Sequence, residues 1–196
     1  MLENYKNHVE ERLKQGIPPL PLNAEQVSDL VELLKSPPSG EEDYLLDLIT
    51  NRTPAGVDPA AYVKAAFLTA LAKDETSSPL IDKQHATKLL GTMLGGYNVE
   101  SLISLLEDDE VGSLAADGLS KTLLMFNAKH DVIELAKNND NAKRVVESWS
   151  DGEWFTSKPK LPEVIKAIVF RVDGEINTDD LSPAPDAPSR PDIPLH

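Results

Sequence analysis

A histidine and a carboxylate lie four residues apart on a predicted helix. This spacing puts the side chains of His130 and Glu134 on one helix face, where they could form one edge of a metal site. No third ligand is evident from the sequence, so a surface polar pair is the simpler interpretation. The acidic run 107–110 lacks the ligand pattern of a calcium loop and precedes a predicted helix, whose free N–H groups favour carboxylates. We therefore interpret this run as helix capping.

Two further features could belong to a binding site. The glycines between Gly91 and Gly96 lie near a helix, but no Gly-Lys-Ser/Thr accompanies them and no strand precedes them, so we predict a helix end at Gly95-Gly96 rather than a phosphate loop. Trp149, Trp154 and Phe155 could form an aromatic patch. Because they fall where the helical pattern ends, packing in the core or between domains is the interpretation we favour.

Composition excludes several classes of protein. The chain of 196 residues has a formal charge of −14 and no cysteine, so it supplies no disulfide, thiolate zinc site, cysteine nucleophile or cluster-binding thiolate. No apolar run is long enough to cross a membrane and no signal peptide is evident, which predicts a cytoplasmic protein. Residues 1–155 hold 14 basic and 26 acidic residues, and this charge of −12 disfavours unaided binding of nucleic acid.

The pattern of residues 1–155 predicts eight or nine short helices. Asn23, Asp58 followed by proline, and Asp82 are N-cap signals, and Asp108 or Asp109 is expected to cap a longer helix that extends to Phe126. The clearest helix follows Asp58, and its predicted apolar stripe consists of Tyr62, Val63, Ala66, Phe67, Ala70 and Leu71. Helix starts near residues 41, 82 and 129 favour a HEAT-like array of antiparallel helix pairs, with a plain helix bundle as the alternative. The fold class is thus predicted to be mainly α.

The pattern changes after residue 155. Residues 156–163 have a linker composition, and Ile168, Phe170 and Val172 then alternate before an Asp173-Gly174 turn, which predicts a β-hairpin. The stretch 183–194 holds five prolines and excludes regular structure. We therefore expect a helical domain at 1–155, a linker at 156–163, and the start of a second, truncated domain at 164–196.

Several segments resemble one enzyme family. The segment Asn177-Thr178-Asp179-Asp180-Leu181-Ser182-Pro183-Ala184 is similar to the loop that follows a short hairpin in the swivel domain of the aconitase superfamily. The continuation through Ser189-Arg190-Pro191 to His196, the segment Gly91-Thr92-Met93-Leu94-Gly95-Gly96-Tyr97-Asn98, and the helix ending in Ile17-Pro18-Pro19 resemble the bacterial B-type aconitate hydratases. The resemblance covers the whole chain.

The resemblance implies a lyase of the tricarboxylic acid cycle. The family interconverts citrate and isocitrate through cis-aconitate with a four-iron four-sulfur cluster, whose open iron acts as a Lewis acid. It also implies that Arg190 binds a substrate carboxylate and that Asp179 is an acidic residue of the active site, with Asp180 where relatives often have histidine. The three cluster cysteines and the family's catalytic serine are absent, so the chain alone should have no catalytic residue, no metal ligand and no activity. Citrate and 2-methylisocitrate both remain open as substrates.

The resemblance also implies a role for the helical part. In this family the domain is associated with dimerisation, with contacts to metabolic enzymes and with mRNA binding, of which the acidic charge favours protein contact. Two functions therefore stay open: the N-terminal part of an aconitate hydratase, or a free-standing helical interaction module that binds protein or mRNA. The incomplete hairpin domain favours the first and predicts a much longer gene product.

Overall fold

The computed structural model describes residues 1–93, 95–122, 128–157, 160–168 and 174, with only the backbone of Trp154 and Phe155. These residues form ten helices and no strand, which confirms the mainly α prediction for this part of the chain. The helices are α1 (Leu2–Lys14), α2 (Ala24–Lys35), α3 (Glu42–Asn51), α4 (Pro59–Ala72), α5 (Lys83–Gly91), α6 (Val99–Leu105), α7 (Gly112–Ser120), α8 (Lys129–Leu135), α9 (Asp140–Asp151) and the single turn α10 (Glu153–Thr156).

The predicted caps of three helices are confirmed. Asn23 and Gln26 form a reciprocal capping box at the start of α2. Asp58 accepts a bond from Ala60 N at 2.8 Å, with Pro59 at the first helical position of α4. Asp82 accepts a bond from His85 N at 2.7 Å at the start of α5. Each cap side chain bonds to an N–H group two or three residues later, so the sequence alone is enough to predict it.

The predicted bounds of α5 and α7 are wrong. Helix α7 begins at Gly112 rather than next to Asp108, whose carboxylate instead accepts bonds from the N–H groups of residues 110 and 111 in the preceding turn. It ends at Ser120, and the Thr122 hydroxyl donates back to Gly118 O at 2.9 Å, which closes the last turn. Residues 123–127 of the predicted longer helix lie outside the described residues.

Helix α5 ends at Gly91, before the Gly95-Gly96 pair that was predicted to end it. The hydroxyl of Thr92 donates to Leu89 O at 2.7 Å and satisfies a free carbonyl of the last turn. Gly95 and Gly96 have φ values of 111° and 79° and lie in the turn that leads to α6.

Successive helices pack on one another along the chain. Helix α2 contacts α3 and α4, α4 contacts α5, α5 contacts α7, and α7 contacts α9, while α6 lies on α7 and α8 on α9. Buried aliphatic side chains from α2 to α9 form a single core, to which α1 contributes the buried ring of Tyr5. The order of contacts follows the order of the sequence, so each helix is positioned mainly by its near neighbours.

The connection between α1 and α2 has no regular structure but is held by side chains. The three carbonyls of residues 18–20 accept bonds from Arg12 Nε at 2.8 Å, from Arg52 Nη2, and from the Tyr5 hydroxyl at 2.7 Å. The N–H of residue 20 donates to Nε2 of His8 at 3.0 Å. These bonds satisfy backbone groups that prolines prevent from joining a helix.

The predicted hairpin is not tested. Residues 160–168 and 174 form neither helix nor strand, and most of the hairpin lies outside the described residues. The side chains of Leu161, Val164, Ile165 and Ile168 are exposed. Among the helices described, none has the length and apolar character required to span a bilayer.

Candidate interaction surface

The two substrate-binding residues expected from the resemblance are not tested by the structure. Asp179 and Arg190 both lie outside the described residues. Their roles stay predictions.

The other sequence candidates take part in local structure. His130 and Glu134 are both exposed on α8, and the carboxylate of Glu134 is paired with Lys137. No group of three or more His, Cys, Asp or Glu side chains that could hold a metal occurs in the described part of the chain. Trp149 is half-buried against the core and its indole N–H donates to Leu119 O at 3.1 Å, which confirms packing for this residue. The side chains of residues 154 and 155 lie outside the described set.

The acidic run 107–110 supplies a link between helices. Lys83 Nζ lies 2.9 Å from carboxylate oxygens of both Asp74 and Asp108, which joins the end of α4, the start of α5 and the α6–α7 turn. The bonds to Asp74 and Asp108 raise the pKa of Lys83, and the bond from Lys83 is the main cause of a lowered pKa at Asp108. The role is therefore structural, as predicted, although it fixes a turn rather than a helix end.

The glycines of 91–96 serve close packing. A Cβ on Gly118 of α7 would lie 2.8 Å from Gly91 Cα, so the backbones of α5 and α7 touch where both residues lack a side chain. A Cβ on Gly96 would lie 2.6 Å from Gly56 O, and Gly56 N donates to Met93 O at 3.2 Å. These contacts fix the α5–α6 turn against the loop that precedes α4.

This turn presents an aromatic pair on the surface. Tyr97 follows Gly96, and its ring centroid lies 5.2 Å from that of Tyr62 on α4 in an edge-to-face arrangement. Tyr62 is 59% exposed, Tyr97 is 41% exposed, and Val57, which is 75% exposed, borders Gly96. The two rings are in contact and exposed, and Val57 is exposed beside Gly96.

A groove of about 490 Å³ extends from this pair along α4. Small side chains of α4 line its floor, and the hydroxyls of Thr69 and Ser101, 2.7 Å apart, connect α4 with α6. Glu75 and Glu100 also line the groove. We call this feature the tyrosine groove; it is lined by Tyr62, Ala65, Ala66, Thr69, Ala70, Glu75, Gly96, Tyr97, Glu100 and Ser101.

The predicted stripe of α4 is partly wrong. Phe67 and Leu71 are buried as predicted, but Tyr62 and Ala66 are exposed. Neighbours on several sides cover most of α4, and the uncovered strip follows residues 62, 66, 69 and 70. Sequence periodicity found the helix but could not tell which side its neighbours leave open.

Lys64 lies on the covered side of α4. It is only 3% exposed, and its ammonium donates one long bond, 3.4 Å, to Thr50 O. Burial away from water disfavours the charged form and lowers the pKa of Lys64 to about 8. The sequence gives no sign of this, because lysine is usually exposed.

A second groove is polar. It measures about 330 Å³ and lies between α7, α9 and α10. Arg144 faces it and is tied to the protein itself, with Nη2 at 2.6 Å from Ser113 O and 3.0 Å from the Asp117 carboxylate. Lys121 also lines this groove. It lies at the C-terminal end of α7, where the helix dipole favours a cation.

The chain matches known proteins along its whole length. A family model described as the aconitate B N-terminal domain matches residues 4–155, and one described as the aconitate hydratase 2 N-terminus matches residues 167–196. The chain is 65% identical to aconitate hydratase B of Pseudomonas aeruginosa, 59% identical to that of Escherichia coli and 49% identical to that of Helicobacter pylori. Each alignment covers 100% of this chain and 23% of the relative. The chain thus spans less than a quarter of the length of these curated relatives.

Proposed function

Since the chain belongs to the aconitate B N-terminal domain family, we propose that it is the N-terminal part of an aconitate hydratase. The whole protein would be a cytoplasmic hydro-lyase that interconverts citrate and isocitrate through cis-aconitate. The observation that carries this proposal is the 65% identity to an aconitate hydratase B over the full chain. The chain on its own would be inactive.

The iron–sulfur cluster of such an enzyme does not fit this chain. A four-iron cluster needs thiolate ligands, and the chain contains no cysteine. The cluster would therefore be held by other parts of the whole protein.

The substrate contacts of this chain would come from its C-terminal segment. Arg190 would bind a carboxylate of the substrate through its planar guanidinium, and Asp179 would lie in the same active site. The separate family match at residues 167–196 supports a swivel domain that starts at 164, after a helical domain at 1–155 and a linker at 156–163.

The helical domain would serve protein contact and dimerisation. Helices that pack in sequence order support a HEAT-like array, which exposes long surfaces suited to protein recognition. The charge of −14 supports a protein partner rather than unaided mRNA binding.

The lyase proposal is tested in the full-length protein. Arg190→Lys should lower kcat/KM for citrate between about tenfold and a hundredfold, because lysine cannot form the bidentate pair with a carboxylate. Ultraviolet absorbance of cis-aconitate gives the rate. Arg144→Lys, an exposed change in the helical domain, is the matched control and should leave the rate unchanged.

Two outcomes would contradict the proposal. A full-length protein that stays inactive on citrate and on 2-methylisocitrate after its cluster is restored would refute the lyase assignment. Activity in the 196-residue chain alone would refute the division of roles between this chain and the rest.

A further inference from the structure

We propose that the tyrosine groove is the docking site for a basic, extended segment of a partner protein. This inference rests on the proposed interaction role of the helical domain, and it names the surface and the chemistry of the segment that binds there.

The groove carries much of the exposed hydrophobic area of the helical part. Five large hydrophobic side chains are exposed among the described residues up to 157; two of them, Tyr62 and Tyr97, line this groove, and a third, Val57, lies beside its residue Gly96. Tyrosines concentrate binding energy at protein interfaces because they bury a large ring while the hydroxyl stays hydrogen-bonded. Both rings keep a large part of their area in water, so burial under a partner would contribute binding free energy.

The aromatic pair is held in place before binding. Tyr97 follows Gly96, whose backbone lies against Gly56 too closely for any side chain. Tyr62 stands in the first turns of α4, which has a confirmed cap at Asp58. A partner would therefore lose little free energy to ordering this surface.

The groove has the length and the lining to hold a short extended segment. From residue 62 to residue 70 the groove follows α4 for about 12 Å, at 1.5 Å per residue. An extended polyproline-type segment rises about 3.1 Å per residue, so about four of its residues fill this length. The floor of alanines leaves room for a backbone, and aromatic-lined grooves of this kind bind proline-containing segments.

Two carboxylates give the groove a negative charge. Glu75 and Glu100 line the groove, are exposed, and form no ion pair within the part of the chain that the structure describes. Glu100 lies in the first turn of α6, three residues after Tyr97, and Glu75 follows the C-terminal end of α4. A lysine or arginine of the bound segment would meet one of these carboxylates, and the overall charge of −14 would speed its approach.

The polar groove between α7 and α9 lacks these properties. Its arginine is already bonded to Asp117 and Ser113, and none of the described side chains that line it is aromatic. The observations therefore favour the tyrosine groove as the docking surface.

Fluorescence anisotropy with the 196-residue chain tests the proposal. The probe is a short fluorescein-labelled peptide of prolines and leucine with two arginines, and the comparison peptide has glutamates in place of the arginines. We expect the arginine peptide to bind and the glutamate peptide not to bind. Tyr62→Ala and Tyr97→Ala should each raise Kd by about tenfold or more, and Glu100→Gln should raise it by a smaller factor that shrinks as salt is added.

Matched controls lie on α1. Leu13→Ala removes an exposed apolar side chain and Glu11→Gln removes an exposed carboxylate, and neither should change Kd. Circular dichroism of each variant confirms that the helices remain. Equal binding of the two peptides would overturn the proposal, as would a Kd that is the same in both tyrosine variants as in the wild type.

Sedimentation velocity shows whether the groove is filled by a second copy of the chain or by a different protein. Tyr97→Ala should leave the oligomeric state of the chain unchanged. A dimer that becomes a monomer in this variant would show that another copy fills the groove, and would overturn the proposal for a basic partner. Neither result bears on the lyase activity of the full-length protein, so failure here and failure of the enzyme assignment are distinguishable.

Discussion

Lys64 shows how one side chain can work against the stability of its own fold. Its amino group is buried on α4 with a single long bond to a carbonyl, and its pKa is lowered from 10.5 to about 8. The unfolded chain binds this proton more tightly than the folded one. The free energy of unfolding therefore rises with pH between about 8 and 10.5, and the full cost of the buried charge is present below pH 8.

Replacement of this lysine should stabilise the protein. Lys64→Met keeps the apolar stem and removes the charge, so we expect the free energy of unfolding at pH 7 to rise by about 1 to 3 kcal/mol. Urea unfolding at pH 7 and at pH 9.5 measures the free energy of unfolding. Between these two pH values it should rise less in the variant than in the wild type. Lys88→Met, an exposed change on α5, is the control. A less stable Lys64→Met protein would show that the ammonium has a compensating partner.

At the scale of elements, the contact between α5 and α7 depends on two glycines. A Cβ on Gly118 would lie 2.8 Å from Gly91 Cα, which is helix backbone and cannot rotate away. The helices would have to move apart, which would open the packing around Leu102, whose side chain also lies beside Gly118.

Gly118→Ala should therefore destabilise the fold even though alanine favours helices. Overpacking of this kind costs about 1 to 3 kcal/mol, more than the gain of about 1 kcal/mol in helix propensity. Thermal and urea unfolding report the difference. Ser120→Ala on the same helix serves as the control and should change stability little. A more stable Gly118→Ala protein would mean that α5 and α7 do not approach this closely in solution.

At the scale of the whole molecule, the dominant property is the charge of −14. Two acidic copies repel one another, and this repulsion is screened over about 8 Å at physiological ionic strength. A dimer formed by apolar contact between helical domains would therefore strengthen as salt is added, whereas docking of a basic segment would weaken.

Analytical ultracentrifugation of the chain at low and at physiological salt measures this directly. We expect a dimer whose fraction grows with salt. A monomer under both conditions would move assembly to parts of the protein outside this chain, and would leave the helical domain as a docking surface only.

Local chemistry explains which parts of the fold were predictable. The caps at Asn23, Asp58 and Asp82 bond to N–H groups two or three residues away, so the sequence contains both partners side by side. The predicted C-terminal ends of α5 and α7 were wrong because Thr92 and Thr122 close these helices earlier than the apolar pattern suggests. Capping by a threonine hydroxyl toward a preceding carbonyl is a weak sequence signal.

By itself, the sequence determined that the protein is helical up to residue 155, acidic, without cysteine, and similar to B-type aconitate hydratases. Only the tertiary structure decided that Tyr62 and Tyr97 form an exposed ring pair, that Lys64 is buried, and that Gly118 lies against Gly91. The reason is physical: helix formation depends on neighbours within one turn, whereas exposure depends on which distant helices pack against each face. Periodicity gives every helix an apolar side, but only packing selects the side that remains open for a partner.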